Sequence, residues 1–295
     1  MNQKSYYSNV KKVLLIVLII NLAVALSKMI YGWMTNSLSI TSDGFHSLFD
    51  GTSNIIGIIG ITFASRPPDK VHPYGHEKFE IFASLGIAFL LFITCFEIFQ
   101  SALGKFYNPS TPDINLMSFI VMGITLLVNL AVSQYEKNQG LKLGSSILVA
   151  DSKHTRSDVY VSIAVILGLI AIKMGFNIVD PIISIIIAIL IAKMGIDIIR
   201  SSSSVLLDSA PIDEKAIKDI VGTVPNVKGS HKIRSRGSVS HIYVDLHVTL
   251  KSPCSAEEAH EIAHLVEDKL KNSISGIKDV VVHVDPFNED KSSSH

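Results

Sequence analysis

Six long apolar segments in the first 200 residues constrain the fold more than any other feature. They cover about residues 13–33, 39–64, 80–105, 114–135, 147–172 and 178–199. A helix that crosses a membrane needs roughly 20 mostly apolar residues, and each segment reaches that length. From Pro211 onward the composition becomes that of an ordinary soluble protein. The sequence therefore predicts a six-helix transmembrane domain over residues 1–208 and a soluble domain over residues 209–295.

Loop charges predict how the helices are oriented. Six spans with both ends in the cytoplasm place most basic loop residues on the inner side, as membrane proteins generally do. These residues are Lys4, Lys11, Lys12, Arg66, Lys70, Lys78, Lys137, Lys142 and Arg200, against Lys105 and Lys173 outside. Lys+Arg and Asp+Glu balance at 26 each, so no excess charge favours nucleic acid as a partner. We expect a multi-pass protein of the cell (inner) membrane in contact with the lipid bilayer.

The soluble segment has the pattern of a small α+β domain. IDEKAIKDIVGTV predicts a short helix, and KGSHKIRSRGS and SHIYVDLHVTL predict two strands. Ser255 and Glu258 fit a capping box that starts a second helix, and DVVVHVDP predicts a last strand. The predicted order is αββαβ, with alternate residues of the second strand, from Ile242 to Leu250, facing inward. We expect His241 at the start of that strand to lie on the surface.

Two matching polar stripes interrupt the apolar segments. DGFHSLFD at 43–50 and DSKHTRSD at 151–158 both read Asp-x-x-His-x-x-x-Asp. At 1.5 Å per residue, each His-Asp pair falls roughly 10–16 Å into its span, so the two pairs meet near the membrane centre. Two imidazoles and two carboxylates on facing helices can form a tetrahedral site that suits zinc. The candidate ligands are His46, Asp50, His154 and Asp158.

Two other interpretations of the stripes stay open. Polar side chains inside a membrane also hold helices together by hydrogen bonds. A proton relay without metal would use the same residue types. Asp43 and Asp151, one turn outside each pair, either line the exit and entry of a pathway or cap their helices.

SDGFHSLFD, PDKVHPYGHEKFE and ADSKHTRSD together resemble the cation diffusion facilitator family of divalent-metal efflux transporters. The resemblance extends over nearly the whole chain, and it implies a homodimer that exchanges metal ions for protons through His46, Asp50, His154 and Asp158. The His/Asp set resembles the zinc-directed branch; ferrous iron, cobalt, nickel and cadmium stay open, and two imidazoles disfavour manganese. A membrane metal sensor that binds without transporting is the alternative from another class. The loop SQYEKNQGLKLGSS lacks histidine, which favours a bacterial or archaeal type.

The resemblance also implies further sites. Asp69, His72 and His76 would form a metal site in the loop after the second span. His231, His247, His260, His283 and Asp285 would bind regulatory metal ions in the cytoplasmic domain, and His264 stands where the family often has an aspartate. Lys78 and Asp208 resemble an interdomain charge pair; a surface ion pair worth under about 1 kcal/mol is the plainer interpretation.

One motif points to an enzyme. His260-Glu261-Ile262-Ala263-His264 matches the H-E-x-x-H signature of zinc proteases, in which the glutamate activates a metal-bound water. The soluble segment is too small for a substrate cleft, and a protease would leave the two membrane stripes without a purpose. We therefore expect a transporter and not an enzyme, with the motif a chance match.

Overall fold

The computed structural model describes residues 3–34, 47–48, 51–107, 116–173 and 179–285. The chain divides into two compact units, Asn2–Ser202 and Ser203–His295, which we describe separately. The predicted domain boundary, after residue 208, lies just beyond this division.

The first unit is a helical membrane domain. Its long helices are α1 (Gln3–Met34), α2 (Thr52–Ala64), α3 (Lys78–Tyr107), α4 (Leu116–Leu143), α5 (Ser146–Lys173) and α6 (Val179–Leu206). Among the residues that the structure describes, three helical segments are long and apolar enough to cross a membrane, namely Ser5–Tyr31, Lys78–Gly104 and Pro181–Leu206. The prediction of a helical transmembrane domain is confirmed. The second apolar block is described mainly by helix α2. Most of residues 39–50, which begin that block, lie outside the described part of the chain.

Two glycines in α2 allow its neighbours to approach closely. A Cβ added at Gly60 would lie 2.2 Å from the Cβ of Ala83 in α3, which real atoms never do. A Cβ at Gly57 would come within 3.1 Å of Leu14 and Ile147. Small residues pack helices in membranes in this way, since close contact replaces the hydrophobic effect as the source of stability there.

A buried carboxylate joins three parts of the helical unit. Glu80, near the start of α3, is 6% exposed and accepts a hydrogen bond from Tyr6 Oη of α1 at 2.8 Å. Ser145 Oγ, in the turn before α5, donates to Glu80 Oε1 at 2.6 Å, and the backbone N–H of Ile147 donates to the same oxygen at 3.4 Å. Several donors can make up for the loss of water around a buried acid. Glu80 therefore ties α1 and α3 to the α4–α5 turn.

Removing this acceptor should destabilise the helical unit. Glu80→Leu keeps a similar volume and leaves the donors of Tyr6, Ser145 and Ile147 without their acceptor. Each unsatisfied buried group costs about 1–3 kcal/mol, so we expect the free energy of unfolding to fall by more than about 2 kcal/mol. Thermal unfolding of the detergent-solubilised protein measures the loss. Glu97→Leu is the matched control, because Glu97 lies on the same helix and is exposed; equal midpoints for the two variants would contradict the assignment.

The second unit has the predicted αββαβ order. It consists of α7 (Glu214–Val221), β1 (Val227–Ser238), β2 (His241–Leu250), α8 (Ala256–Ser273) and β3 (Ile277–Asp285). The sheet order is β1-β2-β3, with β1 antiparallel and β3 parallel to β2. Helix α8 connects the parallel pair, as parallel strands require a crossover. The capping box of Ser255 and Glu258 is present, with both backbone hydrogen bonds formed.

The helices cover one face of the sheet. Ile242, Val244, Leu246, Val248 and Leu250 of β2 are each 3% exposed or less, as the alternation predicts. Their core also contains Ile217 of α7 and Val266 and Leu270 of α8. The intervening residues of β2 are only half-buried. We call the side opposite the helices the open face of the sheet.

The expectation that His241 lies on the surface is wrong. Its side chain is 3% exposed at the start of β2, beside Ser240 Oγ, which is 3.0 Å from Nδ1. Burial disfavours the charged imidazole and, with Lys278 nearby, lowers the pKa of His241 to about 4. The tight β1–β2 turn encloses this residue: at Gly237, with φ +107°, a Cβ would lie 2.1 Å from the carbonyl oxygen of His241.

The buried imidazole should make the hairpin less stable in acid. Because the pKa of His241 in the folded state lies below the unfolded value of 6.5, the opened chain takes up a proton that the folded chain does not. The free energy of opening should therefore fall as the pH falls from about 6.5 towards 4, by at most about 1.4 kcal/mol per pH unit, and then level off. Amide hydrogen exchange of residues 227–250 in the full-length protein measures it. His241→Phe should remove this part of the pH dependence; an unchanged slope would refute the assignment.

Candidate metal sites

The second polar stripe lies on α5, where its His-Asp pair occupies consecutive turns. His154 is 5% exposed and Asp158 is half-buried, with Ser157 Oγ 3.3 Å from Asp158 Oδ1. Residues i and i+4 of a helix lie on one face, so both side chains belong to the same stripe. His46 and Asp50, their predicted partners, lie outside the described residues. The four-ligand transport site therefore stays a prediction, of which the structure describes the α5 half.

Asp151, one turn before His154, is completely buried and does not cap its helix. It is the sixth residue of α5, and Asn54 Nδ2 of α2 donates a hydrogen bond to its Oδ2. Asn21 Nδ2 of α1 donates in turn to Asn54 Oδ1 at 2.9 Å. One turn further along the same face of α5, Thr155 Oγ1 donates to Glu136 Oε2 of α4 at 2.9 Å. Sequence reasoning missed Glu136, because at the charged end of α4 it has the pattern of a solvated residue.

The loop after α2 brings together its three predicted ligands. Asp69, His72 and His76 place one ligand atom each within 4.8 Å of one another. The nitrogen Nδ1 of His72 lies 3.3 Å from Asp69 Oδ1, and Nε2 of His76 lies 3.3 Å from Asp69 Oδ2. His76 is 8% exposed, whereas Asp69 and His72 face solvent. The group is therefore an open site with one fixed, buried ligand.

Backbone hydrogen bonds prepare Asp69 for a cation. The N–H of His72 donates to Asp69 Oδ1 at 2.6 Å, and the N–H of Val71 donates to the same oxygen at 2.9 Å. These hydrogen bonds lower the pKa of Asp69 below its usual value, and the bond from His72 has the largest effect. A carboxylate that stays ionised can bind a metal without first losing a proton. Two imidazoles and a carboxylate form a donor set that zinc accepts.

A second group lies on the open face of the sheet. His231, His247 and His283 occupy matching positions on β1, β2 and β3. Asp285 lies among them: its carboxylate oxygens are 3.0 Å from His231 Nε2, 3.0 Å from His247 Nδ1 and 3.6 Å from His283 Nε2. One ligand atom from each of His231, His247 and Asp285 lies within 4.8 Å of the other two, as in the loop group. Three strands thus bring histidines that are far apart in the sequence to one carboxylate.

A β-bulge sets the direction of His231. Between His231 and Arg234, β1 advances three residues while β2 advances two, from His247 to Asp245. The extra residue brings His231 opposite His247 and Arg234 opposite Asp245, whose carboxylate is 3.4 Å from the guanidinium. Lys232, inside the bulge, has φ +49°, an unusual backbone conformation for a residue with a side chain. Bulges redirect side chains in this way near functional sites.

The structure separates His260 from the sheet histidines of the same chain. His260 and His264 lie on α8, on the opposite side of the sheet, with their Nε2 atoms 3.1 Å apart. Both are exposed, because Ile262, Val266 and Leu270 take the buried face of the helix. The role predicted for His260 in the sheet site stays a prediction that no contact within one chain supports. Lys78 and Asp208 belong to different units, and their charge pair also stays a prediction.

Asp285 is the residue whose loss should affect the open-face site most. Since its carboxylate contacts all three sheet histidines, we expect Asp285→Asn to weaken zinc binding to this site by more than about tenfold. Equilibrium dialysis of the full-length protein, counting bound zinc, measures this, and the loop site should keep its zinc. Asp245→Asn is the matched control on the same face. Equal zinc affinity of the two variants would contradict a site centred on Asp285.

Comparisons with known proteins identify both units. The family model described as the cation efflux transmembrane domain matches residues 14–207. The model described as the cytoplasmic domain of cation efflux proteins matches residues 210–287. Both matches agree with the helical and α+β units, and neither describes an enzyme. Both are domains of cation efflux proteins, so the expectation of a transporter and not an enzyme is confirmed.

Curated relatives resemble the chain over most of its length. "Uncharacterized transporter MJ0449" of Methanocaldococcus jannaschii is 36% identical over 278 residues, which cover 94% of this chain and 98% of the relative. "Manganese efflux system protein MneS" of Bacillus subtilis is 28% identical over 89% of this chain and 90% of its own. "Cation-efflux pump FieF" of Cronobacter sakazakii is 27% identical over 86% and 85%. The chain therefore belongs to the cation efflux (cation diffusion facilitator) family of membrane transporters.

Proposed function

We propose that the protein exports zinc from the cytoplasm across the cell membrane in exchange for protons, by alternating access in a homodimer. Family membership supports metal cation efflux. The His154–Asp158 pair on α5 is the observation that supports zinc as the cargo and its exchange for protons. A buried imidazole one turn from a carboxylate is energetically costly inside a membrane domain. Ionisable residues in such positions therefore usually serve a function. The matching His46–Asp50 pair would complete a four-ligand site.

The donor set favours zinc over manganese. Zinc binds imidazole and carboxylate together in tetrahedral sites, whereas manganese prefers oxygen ligands. Two relatives from Bacillus subtilis are named as manganese efflux proteins, so manganese is the second candidate substrate. Ferrous iron, cobalt, nickel and cadmium fit the same ligands less selectively. The metal ion is here the cargo, and it binds only while the ligands are deprotonated.

Proton exchange follows from the chemistry of the ligands. Histidine titrates near neutral pH, so a more acidic exterior would protonate the site and release the metal there. After the return to the inward-facing state, protons leave to the less acidic cytoplasm and the next ion binds. We assign the loop group of Asp69, His72 and His76 to metal capture on the cytoplasmic side. The open-face group would favour one arrangement of the dimer when it holds metal, which would make it a sensor of cytoplasmic zinc.

Flux through the purified protein tests this proposal. In proteoliposomes with an imposed pH gradient, zinc, iron(II), cobalt and manganese are supplied in turn. We expect gradient-dependent zinc movement that falls to the level of empty liposomes in an Asp50→Ala/Asp158→Ala double variant, because half of the ligands are lost. Glu97→Ala, at an exposed position of α3, is the control and should move zinc normally.

Each other result would change the proposal in a defined way. Flux of manganese or iron(II) without zinc would keep the mechanism and replace the substrate. Metal movement that ignores the pH gradient would remove proton coupling. Binding of zinc at the α5 site without movement of any metal would indicate a membrane metal sensor instead of a transporter.

A further inference from the structure

Two fully buried carboxyl groups meet between α4 and α5, outside the predicted metal ligands. Glu136 and Asp151 are each 0% exposed. Thr155 Oγ1 connects them, because it donates to Glu136 Oε2 at 2.9 Å and lies 3.3 Å from the carbonyl oxygen of Asp151. A further bond between the same helices, from Ser133 Oγ to the carbonyl oxygen of Ser152 at 2.9 Å, holds them together. We call Glu136 and Asp151 the carboxyl pair.

Each acid of the carboxyl pair has one oxygen supplied with a donor and one without. Glu136 Oε2 accepts from Thr155, and Asp151 Oδ2 accepts from Asn54. Glu136 Oε1 and Asp151 Oδ1 are buried and have no hydrogen-bond partner in the described part of the chain. Buried polar atoms nearly always find partners, so each of these two oxygens requires a donor. A proton on either acid provides the missing donor.

The surrounding charges agree with a shared proton. The next acid along α5 is Asp158, seven residues beyond Asp151 and therefore on the same face of the helix. Lys153, the next basic residue along α5, is two residues from Asp151 and therefore about 200° away around the helix axis. From α2 and α1 the pair is approached by the neutral amides of Asn54 and Asn21. Two carboxylates side by side in an apolar interior cannot both stay ionised without a cation, and one proton resolves the conflict.

A metal ion fits the carboxyl pair less well than a proton does. Among the described residues, groups of three or more possible ligands occur in the loop and on the sheet, and neither includes Glu136 or Asp151. The amide NH₂ of Asn54 donates towards Asp151, and the hydroxyl of Thr155 donates towards Glu136. Both dipoles thus present their positive ends to the carboxyl oxygens, which suits a carboxyl group and opposes a cation at these oxygens. The pair therefore offers two ligands at most.

We propose that the carboxyl pair carries one coupling proton of transport, in addition to protons on the metal ligands and at a site distinct from them. In the metal-free state the pair holds one proton. Binding of a divalent ion at the His154–Asp158 site favours the fully ionised pair, and the proton leaves to the cytoplasm. When the metal departs outside, the pair takes up a proton from that side, so one proton moves inward for each such cycle. This inference rests on the proposed function.

The position of the pair suits such coupling. Asp151 and His154 are three residues apart on α5, a rise of about 4.5 Å along the axis. At a separation of this order, and away from bulk water, the charge of a divalent ion bound at His154 acts strongly on the Asp151 carboxyl group. Coupling of this kind is reciprocal: protonation of the pair weakens metal binding as much as metal binding weakens protonation. Acid outside would therefore promote release of the metal through the carboxyl pair as well as through protonation of the ligands.

Isosteric variants that cannot carry the proton test the proposal. Glu136→Gln and Asp151→Asn are reconstituted with a pH-sensitive dye inside the liposomes, and zinc and proton movement are counted together. We expect zinc to move down its own gradient in both variants, with about one proton fewer per zinc ion and a flatter pH profile of flux. Glu97→Gln, an exposed acid of the same unit, is the control with unchanged proton movement. Wild-type proton movement per zinc ion in both variants would overturn the proposal.

A measurement without transport separates this inference from the proposed function. Infrared spectroscopy of the purified full-length protein detects the C=O stretch of a protonated carboxylic acid. We expect such a band in the metal-free wild type, its disappearance on zinc addition, and its absence in either variant. A wild type that moves no zinc but shows this zinc-sensitive band would refute transport and keep the proton site. If the variants fail to fold, the absence of a zinc-sensitive band from the wild type would refute the pair by itself. Loss of one bound zinc ion in Glu136→Gln, with zinc-induced proton release unchanged, would make the pair a metal site instead.

Discussion

The helical unit depends on hiding the polar face of α5 from lipid. This face contains Asp151, Ser152, His154, Thr155 and Ser157, each 5% exposed or less. Hydrocarbon offers no hydrogen bonds, so these groups must find partners within the protein. Helix α4 provides Glu136, and α2 provides Asn54, which is held in turn by α1. The packing of four helices is therefore organised around one polar stripe, and the predicted transport site occupies the same stripe.

Buried acids in this unit divide into two kinds by how their oxygens are satisfied. The carboxylate of Glu80 accepts from Tyr6, Ser145 and the backbone of Ile147, and it serves to hold helices together. Glu136 and Asp151 each keep one oxygen without a donor among the described residues. Burial is nearly the same in both cases, so the difference lies in the supply of donors. An acid with a full set of donors is a structural part, whereas a pair that lacks one is suited to take up a proton.

The cytoplasmic unit uses the same residue types, histidine and aspartate, on the open face of a sheet. Its core needs one face of a three-stranded sheet, which leaves the other face for chemistry. Parallel pairing of β3 with β2 and a bulge in β1 bring histidines from three strands to Asp285. Side chains on such a sheet are positioned by a hydrogen-bonded backbone, so a metal would meet a preformed group. The exposed loop group reaches the same end through backbone N–H bonds to Asp69.

The amino-acid sequence by itself determined the elements and their order. Apolar blocks identified the membrane helices, alternation in β2 identified its buried face, and Ser255 with Glu258 marked the start of α8, because these signals depend on neighbours along the chain. Only the tertiary structure decided which polar side chains are buried and which residues they contact. The buried state of His241, the acceptor role of Glu80 and the pairing of Glu136 with Asp151 depend on contacts between residues distant in the sequence. A buried acid and a solvated one look alike in sequence, and their difference arises only when another helix excludes the water.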